Sequence, residues 1–323
     1  MRFDTPLIAG GVEIPGRLMF APLAGYSDYP LRRRVRACGA ALVFTEMVSA
    51  AALARSNHVK RSWFLTRHTP EEKPLAVQLF GGNPDDFAGA VSRNDFSPFA
   101  FIDINMGCPV RKVIRSGGGS ALLTDTDKMM RIIRAARENT PVPVSVKLRL
   151  GMKSDGAEVA RVQAVEAAGA AFITVHARYT PEMFSGEPHW DTAARMREAV
   201  RHVPFVANGN VNSRADAERI RDLTNADALM IGRGGIGNPW LFSEILSDPE
   251  HYTPPTVEQM RADIHQHLKD MIDLYGEKSG VKNIRKHLVR YCRHFSVTKA
   301  EKIAMVVMTE RGDIERFIDN LHR

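Results

Sequence analysis

Phe101-Ile102-Asp103-Ile104-Asn105-Met106-Gly107-Cys108-Pro109 runs from an apolar, β-rich segment straight into a turn that carries a thiol. A nearly continuous apolar run of this length fits a strand buried on both faces, as in a parallel sheet. Seven further runs share this character, at 17–21, 41–47, 75–80, 144–150, 172–178, 204–210 and 228–233. Segments with helical spacing separate them. Residues 125–138 begin with Asp and place Met129, Ile132 and Ile133 on one side. Residues 155–168 do the same with Val159, Val162, Val165 and Ala168, and residues 213–223 begin with Ser and repeat Ala217, Ile220 and Leu223. Eight rounds of strand and helix predict a (β/α)8 TIM barrel, a fold of roughly 250 residues.

A doubly wound open sheet is the alternative, and it would gather its polar strand-end residues at one switch point. Here nearly every strand ends in one: Pro22, Glu46, Gln78, Asn105, Lys147, His176, Asn208 and Arg233. A barrel brings all eight into a single mouth. Gly232, Gly234 and Gly237 match a dinucleotide-binding glycine pattern, but no βαβ unit continues beyond them, so that reading fails. Residues 7–14, with Gly10-Gly11 at their centre, are predicted to form a hairpin that plugs the barrel bottom.

The 323 residues have an ordinary globular composition, 44% hydrophobic and 25% charged. No apolar run is long enough to span a bilayer, and the first residues lack a signal-peptide core. Cys38, Cys108 and Cys292 show no metal-ligand spacing and make no even set for disulfides, so no metal is expected and a reducing cytoplasm is. A net charge of +7 and a pI near 9.4 favour a polyanionic partner such as nucleic acid.

The pattern changes after the Pro-rich linker 248–255. We expect a catalytic barrel over 1–248 and a small all-helical domain over 256–323. The helix expected at 281–295 is two-faced. Lys282, Lys286, Arg290 and Arg293 fall on one side and Ile284, Leu288, Tyr291 and Phe295 on the other, a stripe suited to a phosphate backbone.

The mouth has the chemistry of a binding cup. Asn208-Gly209-Asn210 and Gly232-Arg233-Gly234-Gly235 close strands seven and eight, where barrels often hold phosphate. Lys147 interrupts an apolar strand, which is costly unless it meets an anion or polar ligand. His176 and Arg178 end strand six, and Gln78 offers an amide that both donates and accepts. Cys108 is a weak acid on a loop at a strand end, suited to proton donation.

These motifs together resemble the tRNA-dihydrouridine synthases. The resemblance runs through 21–28, 77–79, 103–109, 119–123, 146–149, 175–178, 208–210 and 230–233, and reaches the tail at 274–276 and 284–287. It is closest to the B-type bacterial members. It implies FMN in the cup, NADPH as reductant and tRNA as substrate, in an enzyme that needs no membrane or obligate protein partner; whether it is a monomer is left open by the sequence. It further implies that Pro22, Leu23 and Ala24 line the flavin, and that Gln78 and Lys147 meet its ring edge. His176, Asn208, Gly209, Asn210, Gly232 and Arg233 would hold the ribityl phosphate. Cys108 would be the catalytic acid, Asn105 and Arg178 would orient the uracil, and Arg111 and Lys112 would grip nearby phosphates. Leu23 stands where Met is usual, and Asn210 where an acidic residue is common. The run Gly117–Gly119 is expected to loosen the loop carrying Cys108.

Two other functions fit parts of the chain. An FMN-dependent reductase of a free pyrimidine or other small substrate explains the cup but not the basic tail. A flavin-free RNA-binding protein explains the tail but not Cys108, Lys147 and the two glycine loops together.

Overall fold

The computed structural model describes residues 2–55 and 64–323. Eight parallel strands close into a barrel. They are β3 (Leu18–Phe20), β4 (Leu42–Ser49), β5 (Leu75–Phe80), β6 (Phe101–Met106), β7 (Val144–Arg149), β8 (Ile173–His176), β9 (Phe205–Asn208) and β10 (Ala228–Ile231), with β10 pairing back onto β3. The predicted TIM barrel is therefore the observed fold, and a C-terminal helical segment follows it. The strands expected at 172–178, 204–210 and 228–233 stop two residues earlier. There the backbone leaves the sheet to build the mouth: Arg178 N bonds back to His176 O at 2.7 Å, and Asn210 adopts φ +40°.

Side chains alternate across each strand, so one face of every strand enters the barrel. On β6 that face reads Phe101, Asp103, Asn105 from bottom to top. The neighbouring strands follow the same gradient from apolar to polar. Phe44, Ala76, Phe101, Phe172, Val206, Ala228 and Met230 form the buried lower cluster. The predicted hairpin, β1 (Leu7–Ala9) and β2 (Val12–Ile14), contributes Leu7, Ala9 and Ile14 to this cluster and closes the barrel bottom. Its turn needs glycine: Gly10 has φ +53°, and a Cβ there would lie 2.8 Å from Ala171 and Pro143.

The tail has a hydrophobic cluster of its own, including Ile264, Met271, Ile284, Leu288, Tyr291, Ile314 and Ile318. Helix Val257–Tyr275 docks on the first barrel helix, Tyr29–Ala37. Arg34 bonds Asp263 at 2.5 Å and Asp270 at 2.6 Å, and Arg33 reaches Asp270 at 3.1 Å. The basic helix begins and ends earlier than the spacing predicts. It spans Glu277–Tyr291, after Gly276 has ended its predecessor at φ +77°, and passes into a 3-10 turn at Cys292–His294.

Candidate active site

The upper inward-facing positions of β5, β6 and β7 form one connected polar layer. Ser145 donates to Asp103 at 2.7 Å. The Gln78 amide donates to the other Asp103 oxygen at 2.7 Å and accepts from Asn105 Nδ2 at 2.8 Å. Asn105 Oδ1 in turn accepts the backbone N–H groups of Gly107 at 3.2 Å and Cys108 at 2.9 Å. An unbroken relay thus runs from a carboxylate inside the barrel to the backbone of the thiol residue. Strand register sets it up, because Gln78 lies opposite Asp103 and Asp103 opposite Ser145.

Two more holds fix the Cys108 turn. Arg149 Nε donates to Gly107 O at 3.0 Å, and both the N–H and the hydroxyl of Ser120 reach Cys108 O at 3.1 Å. The triple glycine does not loosen this loop. Gly119 sits at φ +59°, where an added Cβ would lie 2.6 Å from Cys108 O. Cβ atoms on Gly118 and Gly82 would strike the backbones of Gly81 and Gly117. Glycine here permits interlocking of two backbones. Residues 111–115 are helical, leaving Arg111 and Lys112 exposed beside the thiol.

Burial pushes the Cys108 thiol up, with Arg149 and Lys147 acting weakly in the opposite direction. It is therefore a thiol and a proton donor at neutral pH. Asp103, fully buried, is raised by desolvation to about 6 despite its bonds to Gln78 and Ser145. Lys147 is lowered to about 8, first by burial and then by Arg149, and its ammonium donates to Asn208 Oδ1 at 2.9 Å. Asn208 donates to Met230 O at 2.7 Å.

On the far wall, Phe184 lies between two guanidinium groups, Arg149 at 5.5 Å and Arg233 at 5.1 Å from its centroid. It also stacks near His176. His176 is kept neutral, first by burial and then by the surrounding cations. Arg178 is fully buried. It donates to Ser185 O, Gly186 O and Asn210 Oδ1 and meets His176 Nε2 at 3.2 Å, so most of its donors already hold the 185–186 turn. Gly209 is packed under Trp190 and Pro188, whereas a Cβ on Gly232 would meet Ala21 at 3.8 Å and Leu23 at 3.9 Å, ordinary contact distances. Pro22, Leu23 and Ala24 sit at the rim on the loop after β3.

Asp103, Ser145, Arg149 and Phe184 are the site residues that sequence reasoning missed. A signal existed for three of them. Asp103 is a carboxylate in an apolar strand, Ser145 lies two residues before Lys147 and Arg149 two after, on the same strand face. Phe184 comes from a loop and carried none.

The basic stripe is only partly free. Lys282 and Arg290 are exposed. Lys286 lies 5.5 Å above the Tyr26 ring, and Arg293 bonds Ile236 O. Both contacts are to loops at the top of the barrel, after β3 and after β10. The tail's cationic helix therefore lies beside the mouth.

A closed parallel barrel whose strand ends carry a layered polar cup defines an enzyme of the (β/α)8 class. The chain belongs to the dihydrouridine synthase family, an oxidoreductase family, whose model, described as Dihydrouridine synthase (Dus), matches residues 19–319. It is 36% identical to the tRNA-dihydrouridine synthase B of Pseudomonas aeruginosa over 87% of this chain and 85% of that protein. It is 35% identical to the tRNA-dihydrouridine synthase B of Pasteurella multocida, with the same coverage. A probable tRNA-dihydrouridine synthase of Rickettsia conorii is 33% identical over 87% of this chain and 86% of that protein. Among solved structures, morphinone reductase shares the fold with a TM-score of 0.54 and 16% identity, over 76% of this chain and 89% of that one. A 2-naphthoyl-CoA reductase does so with a TM-score of 0.59 and 12% identity, over 76% of this chain and 52% of that one. Among the described residues, no helix is long and apolar enough to cross a membrane.

Proposed function

We propose that this protein reduces the C5–C6 double bond of uridines in tRNA, using FMN in the barrel cup and NADPH as electron source. The relay that ends at the protonated Cys108, facing a cup rich in cations, is the observation that carries this reading. The names of the relatives support the substrate.

The residues present fit FMN. Lys147, Arg149, Arg178 and Arg233 cluster around the cup, and each of the last three guanidinium groups is depressed by burial and then, for Arg149 and Arg178, by another arginine of the set. Such a cluster gains by meeting a phosphate. Half-buried Gly232 puts no side chain between its own backbone and a ligand. In this reading Asn208, Gly209, Asn210, Gly232 and Arg233 take the phosphate end with His176, and Pro22, Leu23 and Ala24 line one side. Lys147 presents its ammonium to the pyrimidine edge of the ring, where it favours developing negative charge. Gln78, whose amide is committed to Asp103 and Asn105, acts by fixing that wall.

When bound, the reduced flavin supplies the hydride for C6 of the uracil. Cys108 supplies the proton for C5 from the opposite side, and its raised pKa keeps that proton in place until it is needed. Asn105 and Arg149 hold the turn that aims the thiol. Arg178, through His176 and the 185–186 turn, shapes the wall against which the base rests. The base must leave the tRNA stack to reach the cup. Arg111 and Lys112 beside Cys108, and Lys282, Lys286, Arg290 and Arg293 beside the mouth, line the path of the tRNA backbone. The barrel, 1–248, holds the chemistry and 256–323 holds the tRNA. The enzyme works in the cytoplasm, where its substrate is.

The test is direct. Purified protein is expected to carry FMN, to oxidise NADPH, and to restore dihydrouridine to tRNA from cells lacking the gene. Colourless protein that takes up no FMN, or unchanged tRNA, rejects the proposal.

A further inference from the structure

Where the tail meets the barrel, three side chains from three elements converge. Asp28 caps the first barrel helix, His267 lies on Val257–Tyr275 and His287 on Glu277–Tyr291. One ligand atom from each lies within 4.8 Å of the others, and all three residues are buried. Among the described residues, both ring nitrogens of His287 and the Nε2 of His267 have no hydrogen-bond partner. Buried polar atoms are normally satisfied, so the unpartnered Nε2 of His267 and an unpartnered ring nitrogen of His287, both close to an Asp28 oxygen, ask for an occupant.

We propose that Asp28, His267 and His287 bind a divalent transition-metal ion of the Zn2+ type, which fastens the helical tail to the loop after β3. Nitrogen and carboxylate ligands at about 2.0–2.2 Å from such an ion would stand about 3.3 Å apart, so the three groups need to draw in only modestly. The supporting contacts suit that task. His267 Nδ1 lies 3.0 Å from the Tyr291 hydroxyl, which fixes the ring and leaves Nε2 as the ligand atom. Tyr275 donates to Asp28 Oδ2 at 2.9 Å and orients the carboxylate. The Tyr26 ring meets His287 edge-on, and the two imidazole centroids are 4.6 Å apart. Of the neighbouring charges, Glu46 offsets Lys286 at Asp28, and Arg34 is paired with Asp263 and Asp270. The residues are 239 and 20 positions apart along the chain, so no ligand spacing marks the site, and the absence of a metal expected from the cysteines does not bear on it.

The experiment uses the full chain, stripped with a chelator, equilibrated with Zn2+, passed through gel filtration and assayed for metal per chain. We expect about one retained Zn2+, a melting temperature several degrees above that of the stripped protein, and uptake at least tenfold weaker in His267→Gln and His287→Gln. Co2+ in its place should give tetrahedral d–d absorption without a thiolate charge-transfer band. Folded, stripped protein that retains no Zn2+ overturns the proposal, with buried water then filling the site. Unchanged uptake in both variants also overturns it. Should the variants fail to fold, the wild-type Co2+ spectrum decides: one like that of the aqueous ion, or one with thiolate bands, rejects the site.

Discussion

Asn105 Oδ1 accepts the backbone N–H of Cys108 at 2.9 Å, while its Nδ2 donates to Gln78. The amide is occupied on both ends, so in the proposed reaction Asn105 would act by holding the thiol in position. Cys108→Ala should slow uracil reduction about 100-fold or more, the usual size of a general-acid loss, with FMN and tRNA binding intact. Asn105→Ala should cost about 10- to 100-fold. If Asn105 works through the thiol, the double variant is no slower than Cys108→Ala alone. Single-turnover oxidation of reduced enzyme by tRNA measures all three, and multiplying losses would instead place Asn105 on the substrate.

Asp103 makes a prediction about pH. Its folded-state value, about 6, lies above the ordinary carboxylate range. Between about pH 4 and 6 the native chain therefore binds the extra proton, and stability from this group falls as pH rises through that window. Asp103→Asn removes the effect while still accepting from Gln78. Its stability relative to wild type should climb from pH 4 to pH 6 by on the order of 2–3 kcal/mol. Urea denaturation at a series of pH values reads the difference, and a flat difference contradicts the buried carboxyl.

Gly119→Ala tests the interlock at the thiol. The substitution faces both a left-handed backbone and a 2.6 Å approach to Cys108 O. Gly156 has φ +76° with nothing within 4 Å, so Gly156→Ala isolates the backbone cost. We expect Gly156→Ala to lose about 1 kcal/mol and Gly119→Ala about 2–4 kcal/mol. Only the second should reduce turnover.

The tail predicts a salt effect. Lys282 and Arg290 are the exposed members of the basic stripe. The pair of substitutions Lys282→Glu and Arg290→Glu should weaken tRNA binding at least tenfold and flatten the log Kd against log salt slope by about two. NADPH oxidation without tRNA should not change. An unaltered slope would take the stripe out of the interface.

The barrel was legible because burial on both faces leaves a strong signature: runs such as 75–80 and 101–106 coincide with β5 and β6. Strand ends were less so, since Ala177, Gly209 and Gly232 read as continuations of apolar runs but belong to turns. In the cup, Cys108, Lys147 and Asn208 stood out by residue type and place. The relay did not, because the bonds of Asp103 to Gln78 and Ser145 depend on register between strands about 25 to 40 residues apart in sequence. The seating of Lys286 and Arg293 was equally hidden. Helical spacing shows a charged side but not what it faces.

A Cβ on Gly237, just after β10, would come within 2.6 Å of the main chain at Arg290. The two backbones touch with no side chain between them, so the tail has no cushion on which to pivot. If the tail holds tRNA as proposed, cup and tail would act like the two jaws of a caliper, and the strand gripped at one jaw would offer the nucleotide that lies that span away.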